Sequence, residues 1–402
     1  MHYIRILKRP RLLPASPRSL TTKITITTDL GESFLLENIS IVAELLCENG
    51  ALVLGFSKGR EYLWKGKDGM RSLEIVVPLP VAKERRKMGG EMVRMLVRPK
   101  DADVAMRNFE QILDPEPWGE KASVSKGLVV AVRTMAIDIS PEAMGEKGAR
   151  VGMAERSFSI GMEEYIKSIN IWEETGESIA RHIWYAALDL DRYVLFSHPT
   201  NNIVNRDAGL VLSGYLLCVS KFSSGPARVL PPLLVLEKVL KGKELNVLEL
   251  GAGCGIVGIS LAIGFADVKK LLLTDLPEAT EIIQKNISSM YLPSSLKHQV
   301  LDWSSPLPSN VSDTKWDLVV VADCTYNPDV VPDLVQTLKR LAEGNKYVVV
   351  LLAMKVRHES EMVFFDLMKT SGFDMKEKCK IPLPVLGGED EEIEIFLFGY
   401  GG

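Results

Sequence analysis

The chain has 402 residues, 46% of them apolar and 25% charged, with a net charge of −4. These values match an ordinary globular protein and exclude wholesale disorder, collagen and coiled coil; the length suits two or three domains at roughly 100–200 residues each. The longest uncharged apolar run, Tyr347–Met354, is far short of the ~20 residues a membrane helix needs. Arg5, Lys8, Arg9 and Arg11 interrupt the apolar residues of the first eleven positions, so they do not read as a secretory signal. Five scattered cysteines, none in a C-x-x-C pair, and five dispersed histidines argue against a disulfide framework and a zinc site, and for a reducing compartment, cytosol or nucleus. Residues 1–100 hold 18 Lys+Arg against 10 Asp+Glu, whereas the remainder is acidic. A basic first quarter suits an acidic partner, but no aromatic-basic motif of an RNA-binding module accompanies it, and solvated faces are the simpler reading.

In chain order, the first 165 residues read as a small β-rich domain. Lys23–Thr28 alternates, and Ile41–Cys47, Ala51–Phe56, Leu73–Leu79 and Met92–Val97 are apolar runs separated by Gly, Asn, Pro or charge. Residues 101–165 lack a clear period, and a linker or irregular segment is expected around Ala136–Phe158. From 166 to 402 the texture changes. Strand-like runs at Asn246–Leu250, Leu271–Asp275, His298–Trp303, Leu318–Asp323 and Tyr347–Lys355 alternate with helical patterns at Ile256–Ile263, Glu278–Met290, Val330–Ala342 and Glu359–Ser371. This is the pattern of βαβ units and a mostly parallel sheet. Lys380–Leu383 and Ile393–Tyr400 follow without an intervening helix, which predicts an antiparallel hairpin at the sheet edge.

The most informative stretch is Val247-Leu248-Glu249-Leu250-Gly251-Ala252-Gly253-Cys254-Gly255-Ile256-Val257-Gly258. A strand runs into a glycine turn and then a helix, whose N-terminus offers free N–H groups. Gly253, Gly255 and Gly258 fit G-x-G-x-x-G, a dinucleotide pattern. Glu249 points elsewhere: a carboxylate repels a pyrophosphate but suits a cationic ligand such as S-adenosylmethionine. Asp275, ending the next strand, is placed to accept hydrogen bonds from ribose hydroxyls. Asp302-Trp303 closes a third strand, where an indole could cover an adenine face and Asp302 could bond its amino group or a nearby backbone N–H. Asp323 closes a fourth, with Tyr326 three residues on. Because ligands of open α/β sheets sit outside the carboxyl ends of the strands, Asp323 and Tyr326 should face the same crevice as Gly253 and Asp275. A carboxylate and a phenol there can hold a nucleophilic amine. The plainer alternatives are that Asp323 caps the following turn and that Tyr326 and Trp303 are core.

Glu249–Gly258, Thr274-Asp275-Leu276-Pro277, Leu301-Asp302-Trp303 and Ala322-Asp323-Cys324-Thr325-Tyr326, in this order, resemble family 16 of the seven-β-strand methyltransferases, and D-x-x-Y resembles its protein-lysine branch. The resemblance covers roughly Ile171–Gly402 and implies a Rossmann-like seven-stranded sheet. It also implies S-adenosylmethionine as cofactor, no metal, and transfer to a lysine of a protein substrate by a monomer without membrane or nucleic-acid partners. Gly251, Ala252 and Gly253 would line the methionine portion, with Gly255 completing the loop. Asp275 would hold the ribose, Trp303 the adenine, Ala322 would lie beside the cofactor, and Asp323 and Tyr326 would orient the amine. Members carry W-D-A-[AG] before the first helix, with the Trp near the cofactor. Here Trp184 is separated from Asp207-Ala208-Gly209 by the 22 residues 185–206, either an insertion or a gene-model artefact. Transfer to another nucleophile, and a catalytically weak assembly factor, are the competing readings. A base methylase would carry a double proline after the fourth strand, and this chain has Asp323-Cys324-Thr325-Tyr326 there.

Overall fold

The computed structural model describes residues 1–13, 18–47, 50, 52, 59–80, 91–113, 127–140, 151–161, 166–176, 207–221, 231–325, 327–356, 362–387 and 391–401. Trp184, residues 185–206, Tyr326 and nearly all of the strand expected at Ala51–Phe56 lie outside them.

The N-terminal part is two β-sheets. Strands β1 (His2–Leu13), β2 (Ser19–Thr27), β3 (Asn38–Cys47), β4 (Arg60–Lys65), β5 (Leu73–Pro78) and β6 (Met92–Pro99) are followed by the short β7 (Ala105–Met106), β8 (Val129–Val130), β9 (Val132–Thr134) and β10 (Ile137–Asp138). The long β11 (Val151–Gly161) and β12 (Ile166–Gly176) complete the set. One sheet runs β5-β2-β1-β8-β7; the other runs β12-β11-β9-β6-β3-β4, with β10 also on β6. Ile4, Leu20, Ile24 and Ile75 of the first sheet form one buried cluster with Ile41, Trp64, Met95 and Val97 of the second. The expected linker at Ala136–Phe158 is corrected here: residues 151–158 are extended and join an eleven-pair hairpin between β11 and β12. Charge concealed the strand. Arg156, Glu155 and Glu173 are all buried, and each is neutralised by an ion pair within the sheet. The anticipated boundary at 165/166 falls between the two strands of that hairpin, so β12 pairs with the strands before it.

The C-terminal part is one seven-stranded sheet. Helices α1 (Asp207–Lys221) and α2 (Leu234–Leu240) lead into β13 (Leu245–Leu250), α3 (Ile256–Gly264), β14 (Val268–Asp275) and α4 (Thr280–Ser288). Then come β15 (Leu296–Val300), β16 (Leu318–Ala322), α5 (Val331–Gly344), β17 (Val349–Met354), α6 (Val363–Thr370), β18 (Phe373–Leu383) and β19 (Glu391–Tyr400). The order is β15-β14-β13-β16-β17-β19-β18. Neighbours from β15 to β17 are parallel, and β19 is antiparallel to both β17 and β18, as the late hairpin requires. Both faces of the parallel strands are covered, which is why they read as unbroken apolar runs. Val247, Leu271, Leu273 and Val320 face one core with α1 and α3. Leu248, Leu250, Val319 and Val321 face the other with α5 and α6. The first of these cores is continuous with Met1, Tyr3, Phe158, Ile169 and Ile171, so the N-terminal sheets and the C-terminal sheet share buried apolar contacts. Among the described residues no helix is long and apolar enough to cross a membrane.

The third strand differs from expectation. His298–Trp303 was one extended run in the sequence, but β15 stops at Val300 and Trp303 lies in a turn. The reason is local: Asp302 Oδ1 accepts the N–H of Ser304 at 2.9 Å and its hydroxyl at 2.8 Å, a side-chain turn that competes with further strand pairing.

Candidate active site

The order of the sheet reverses at β13 and β16, the point where the crevice of an open α/β sheet forms. The glycine loop leaves β13 there. Gly251, Gly253 and Gly255 have φ of 69°, 57° and 82°, left-handed values that only glycine adopts at little cost. Loop bonds are few and specific. Ala252 N–H donates to Thr274 O at 3.0 Å, Gly255 N–H to Ala252 O at 2.7 Å, and Gly253 N–H to Asp275 Oδ2 at 2.7 Å. Asp275 Oδ1 accepts Leu276 N–H, also at 2.7 Å. Burial raises the Asp275 carboxyl above its usual range, and its two accepted N–H bonds oppose this.

Glu249 sits under α3 rather than at the strand tip. Its parity with Val247 turns it to the face that α3 covers, where its Oε2 accepts Gly258 N–H at 2.9 Å and its exposure is 1%. Burial pushes this carboxyl up to about 8, with the Gly258 N–H opposing and Asp275 adding a smaller upward effect.

The fourth strand ends beside the loop. Asp323 is buried and holds φ of 56°, a left-handed conformation that aspartate tolerates better than most residues. Its N–H donates to Ala353 O at 2.8 Å, tying it to the end of β17. Cys324 Sγ lies 3.6 Å from Leu250 O and 3.7 Å from Gly251 O. A Cβ built on Gly251 would overlap that sulfur and approach Trp303 Cζ2 at 3.3 Å. Gly251, Trp303 and the Asp323-Cys324 turn are therefore packed against one another, and Ala322 is half-buried next to them. Asp302 is exposed and engaged with Ser304. Of the residues singled out in the sequence, Gly251, Ala252, Gly253, Gly255, Asp275, Asp302, Trp303, Ala322 and Asp323 thus lie about the carboxyl ends of β13 to β16, with Glu249 buried beneath the loop under α3. Trp184 and Tyr326 are outside the described residues.

Sequence reasoning missed two features. Asp207, the second half of the interrupted W-D-A-G run, is buried. It accepts Tyr3 Oη–H at 2.8 Å and Lys355 Nζ at 3.3 Å, while its own N–H donates to Asp29 Oδ2 at 3.3 Å. The sequence marked Asp207 as part of the interrupted W-D-A-G run but gave no sign of its partners Tyr3, Lys355 and Asp29. Asn286 on α4 is the other. Its partners are distant in sequence, and nothing local marks it.

The sheet order, the glycine loop at the reversal and the acidic strand ends define a Rossmann-like methyltransferase fold. A family model described as lysine methyltransferase matches residues 164–371, and the chain belongs to that family. A UPF0665 family protein of Schizosaccharomyces pombe is 29% identical over 227 residues, 56% of this chain and 57% of that protein. Protein-lysine N-methyltransferase EFM2 of Saccharomyces cerevisiae is 29% identical over 34% of this chain and 35% of its own length. EEF1A lysine methyltransferase 3 of Xenopus tropicalis is 36% identical over 40% and 66%. The chain covers less than two thirds of each of these relatives.

Proposed function

We propose that the protein is an S-adenosylmethionine-dependent methyltransferase that modifies a lysine side chain of another protein. The observation that carries this reading is the convergence of Gly251, Asp275, Trp303 and Asp323 at the carboxyl ends of β13 to β16. The residues fit the cofactor. A Cβ at Gly253 would meet no atom within 4 Å, so this backbone is open to a ligand. The acid bonded to the loop backbone, Asp275, suits a cationic ligand and opposes a pyrophosphate, whereas Glu249 is buried with its carboxyl pushed up to about 8 and acts through the N–H of Gly258 rather than as a charge. Gly251, Ala252 and Gly253 would take the methionine portion with Gly255 completing the loop, Glu249 would support them from beneath through Gly258 N–H, and Asp275 would take the ribose. Trp303 and Asp302 would lie toward the adenine side, with Ala322 against the cofactor.

The cofactor, when bound, supplies an electrophilic methyl on positively charged sulfur. The chain's part is orientation. Asp323 would hold an N–H of the acceptor amine, and Tyr326, three residues on in sequence, is the second residue we assign to orienting it. The amine would have to arrive unprotonated, and no covalent enzyme intermediate would be needed. Alignment of this kind supplies much of such a rate enhancement. A reducing compartment, the cytoplasm or nucleus, is the setting we infer. A monomer acting on a lysine-bearing protein is the form we infer.

Calorimetry with S-adenosylhomocysteine and NAD, followed by transfer from labelled S-adenosylmethionine into lysate proteins, tests the reading. Binding of S-adenosylhomocysteine and a labelled lysine are expected. Binding of NAD with no response to S-adenosylhomocysteine would overturn it.

A further inference from the structure

We propose that Asn286 is a positioning residue for the cofactor loop, and that through it the N-terminal sheets set the loop's geometry. The inference rests on the function proposed above, in which that loop holds the cofactor. Asn286 is fully buried on α4. Its Oδ1 accepts Trp172 N–H at 2.8 Å. Its Nδ2 donates to Trp172 O at 3.0 Å and to Cys254 O at 2.8 Å. A primary amide has two N–H donors and one carbonyl oxygen, and each of them is engaged here.

The two bonds to Trp172 reproduce what a neighbouring strand gives one residue of an antiparallel edge. Trp172 belongs to β12, the edge strand of its sheet, so Asn286 takes the place of the absent next strand. The remaining N–H holds the carbonyl of Cys254, between Gly253 and Gly255. A glycine loop has almost no side chains with which to hold its shape, so bonds from outside it matter more. Among the described residues three side chains bond its backbone: Asp275 on the N–H of Gly253, Asn286 on the carbonyl of Cys254 and, through sulfur, Cys324 on the carbonyl of Gly251.

The other end of this linkage is equally built. Glu173, next to Trp172, is buried and paired with Arg156, whose Nε lies 2.8 Å from Glu173 Oε1. Arg156 also donates to Ala131 O at 2.7 Å and to Ile4 O at 3.0 Å, which binds β12 to β1 of the opposite sheet. The Trp172 ring carries Lys285 Nζ at 4.4 Å, so the residue beside Asn286 holds the side chain of the residue whose backbone Asn286 bonds. A continuous set of buried polar contacts therefore runs from β1 through Arg156, Glu173, β12 and Asn286 to the loop.

The test is Asn286→Asp in the full chain. The carboxylate keeps an acceptor for Trp172 N–H but turns lone pairs toward two carbonyls. S-adenosylhomocysteine affinity is read by calorimetry, folding by thermal unfolding, and local opening by hydrogen exchange of peptides covering 166–176 and 251–258. The dissociation constant should rise at least about 10-fold, as expected when buried carbonyls lose their donors, and exchange should rise in both peptides together. A folded variant with parental affinity would overturn the proposal, whether or not its melting temperature falls, because a purely structural brace moves only the latter. If the variant does not fold, the parental chain decides. S-adenosylhomocysteine must then slow exchange in 166–176 as well as in 251–258, since coupling is reciprocal, and protection confined to 251–258 would refute it. Should the parental chain bind no S-adenosylhomocysteine, the proposed function fails on its own. The ligand-free exchange of the variant against the parent still reads the linkage in that case: a joint rise in both peptides upholds it, and unchanged or unlinked exchange refutes it.

Discussion

Replacing Gly251 by alanine should damage the site through a contact that the sequence does not show. The residue has φ of 69°, where a Cβ costs roughly 1–2 kcal/mol. The new methyl would also collide with Cys324 Sγ and press on Trp303 Cζ2 at 3.3 Å. Cys324 has little room to yield: it is 8% exposed, carbonyl oxygens of Leu250, Gly251 and Ala322 surround its sulfur, and the preceding residue is tied to β17. Overpacking of this kind costs about 1–3 kcal/mol, so Gly251→Ala should lose ~2–5 kcal/mol in all. Urea unfolding of the parent, Gly251→Ala, Cys324→Ala and the double variant separates the two parts. Removing the sulfur relieves the collision but not the backbone strain. The double variant should therefore be more stable than the sum of the singles by about 1–3 kcal/mol. Additivity within ~0.5 kcal/mol would refute the packing of the fourth-strand turn against the loop, and with it the shared crevice.

Four other outcomes are expected. Glu249 has a folded-state pKa of about 8 against an ordinary 4.5, so its ionisation is penalised by folding. Its effect is absent below about pH 4.5 and grows as pH rises to about 8, with a slope of at most ~1.4 kcal/mol per pH unit. Glu249→Gln should remove that decline in urea titrations at pH 5, 6.5 and 8, and an unchanged profile would sink the assignment. Asp323→Asn should lower single-turnover transfer by about 100-fold or more, as misplacement of a reacting group does, with little change in S-adenosylhomocysteine affinity; parental turnover would move the chemistry elsewhere. Tyr326→Phe should retain more transfer than Tyr326→Ala, and equal loss in both would argue for the hydroxyl rather than the ring. Asp275→Ala should weaken S-adenosylhomocysteine binding by ~1.5–3 kcal/mol, checked by calorimetry against the same variant's melting temperature.

What the sequence determined by itself was whatever depends on near neighbours. The strands at Asn246–Leu250 and Leu318–Asp323, the glycine turn between β13 and α3, the carboxylate ending β14 and the late hairpin all follow from short-range pattern, because period and turn chemistry act over a few residues. A mostly parallel sheet followed too, since alternating strands and helices leave few topologies, whereas the order β15-β14-β13-β16-β17-β19-β18 came from the tertiary structure. The remainder was decided between segments far apart in the chain. β11 was illegible because its charges look solvent-bound until Glu173, 17 residues after Arg156, neutralises one of them across the hairpin. Glu249 reads as a residue of the strand tip, yet the covering helix turns it to Gly258 and holds its proton. Trp303 reads as the end of a strand, yet Asp302 bends the chain first. Tyr3 and Asp207, and likewise Trp172, Asn286 and Cys254, meet only after the N-terminal sheets pack on the C-terminal sheet. A buried polar group must find a partner because burial removes its water, and which partner it finds is set by the packing of whole elements rather than by its neighbours in sequence.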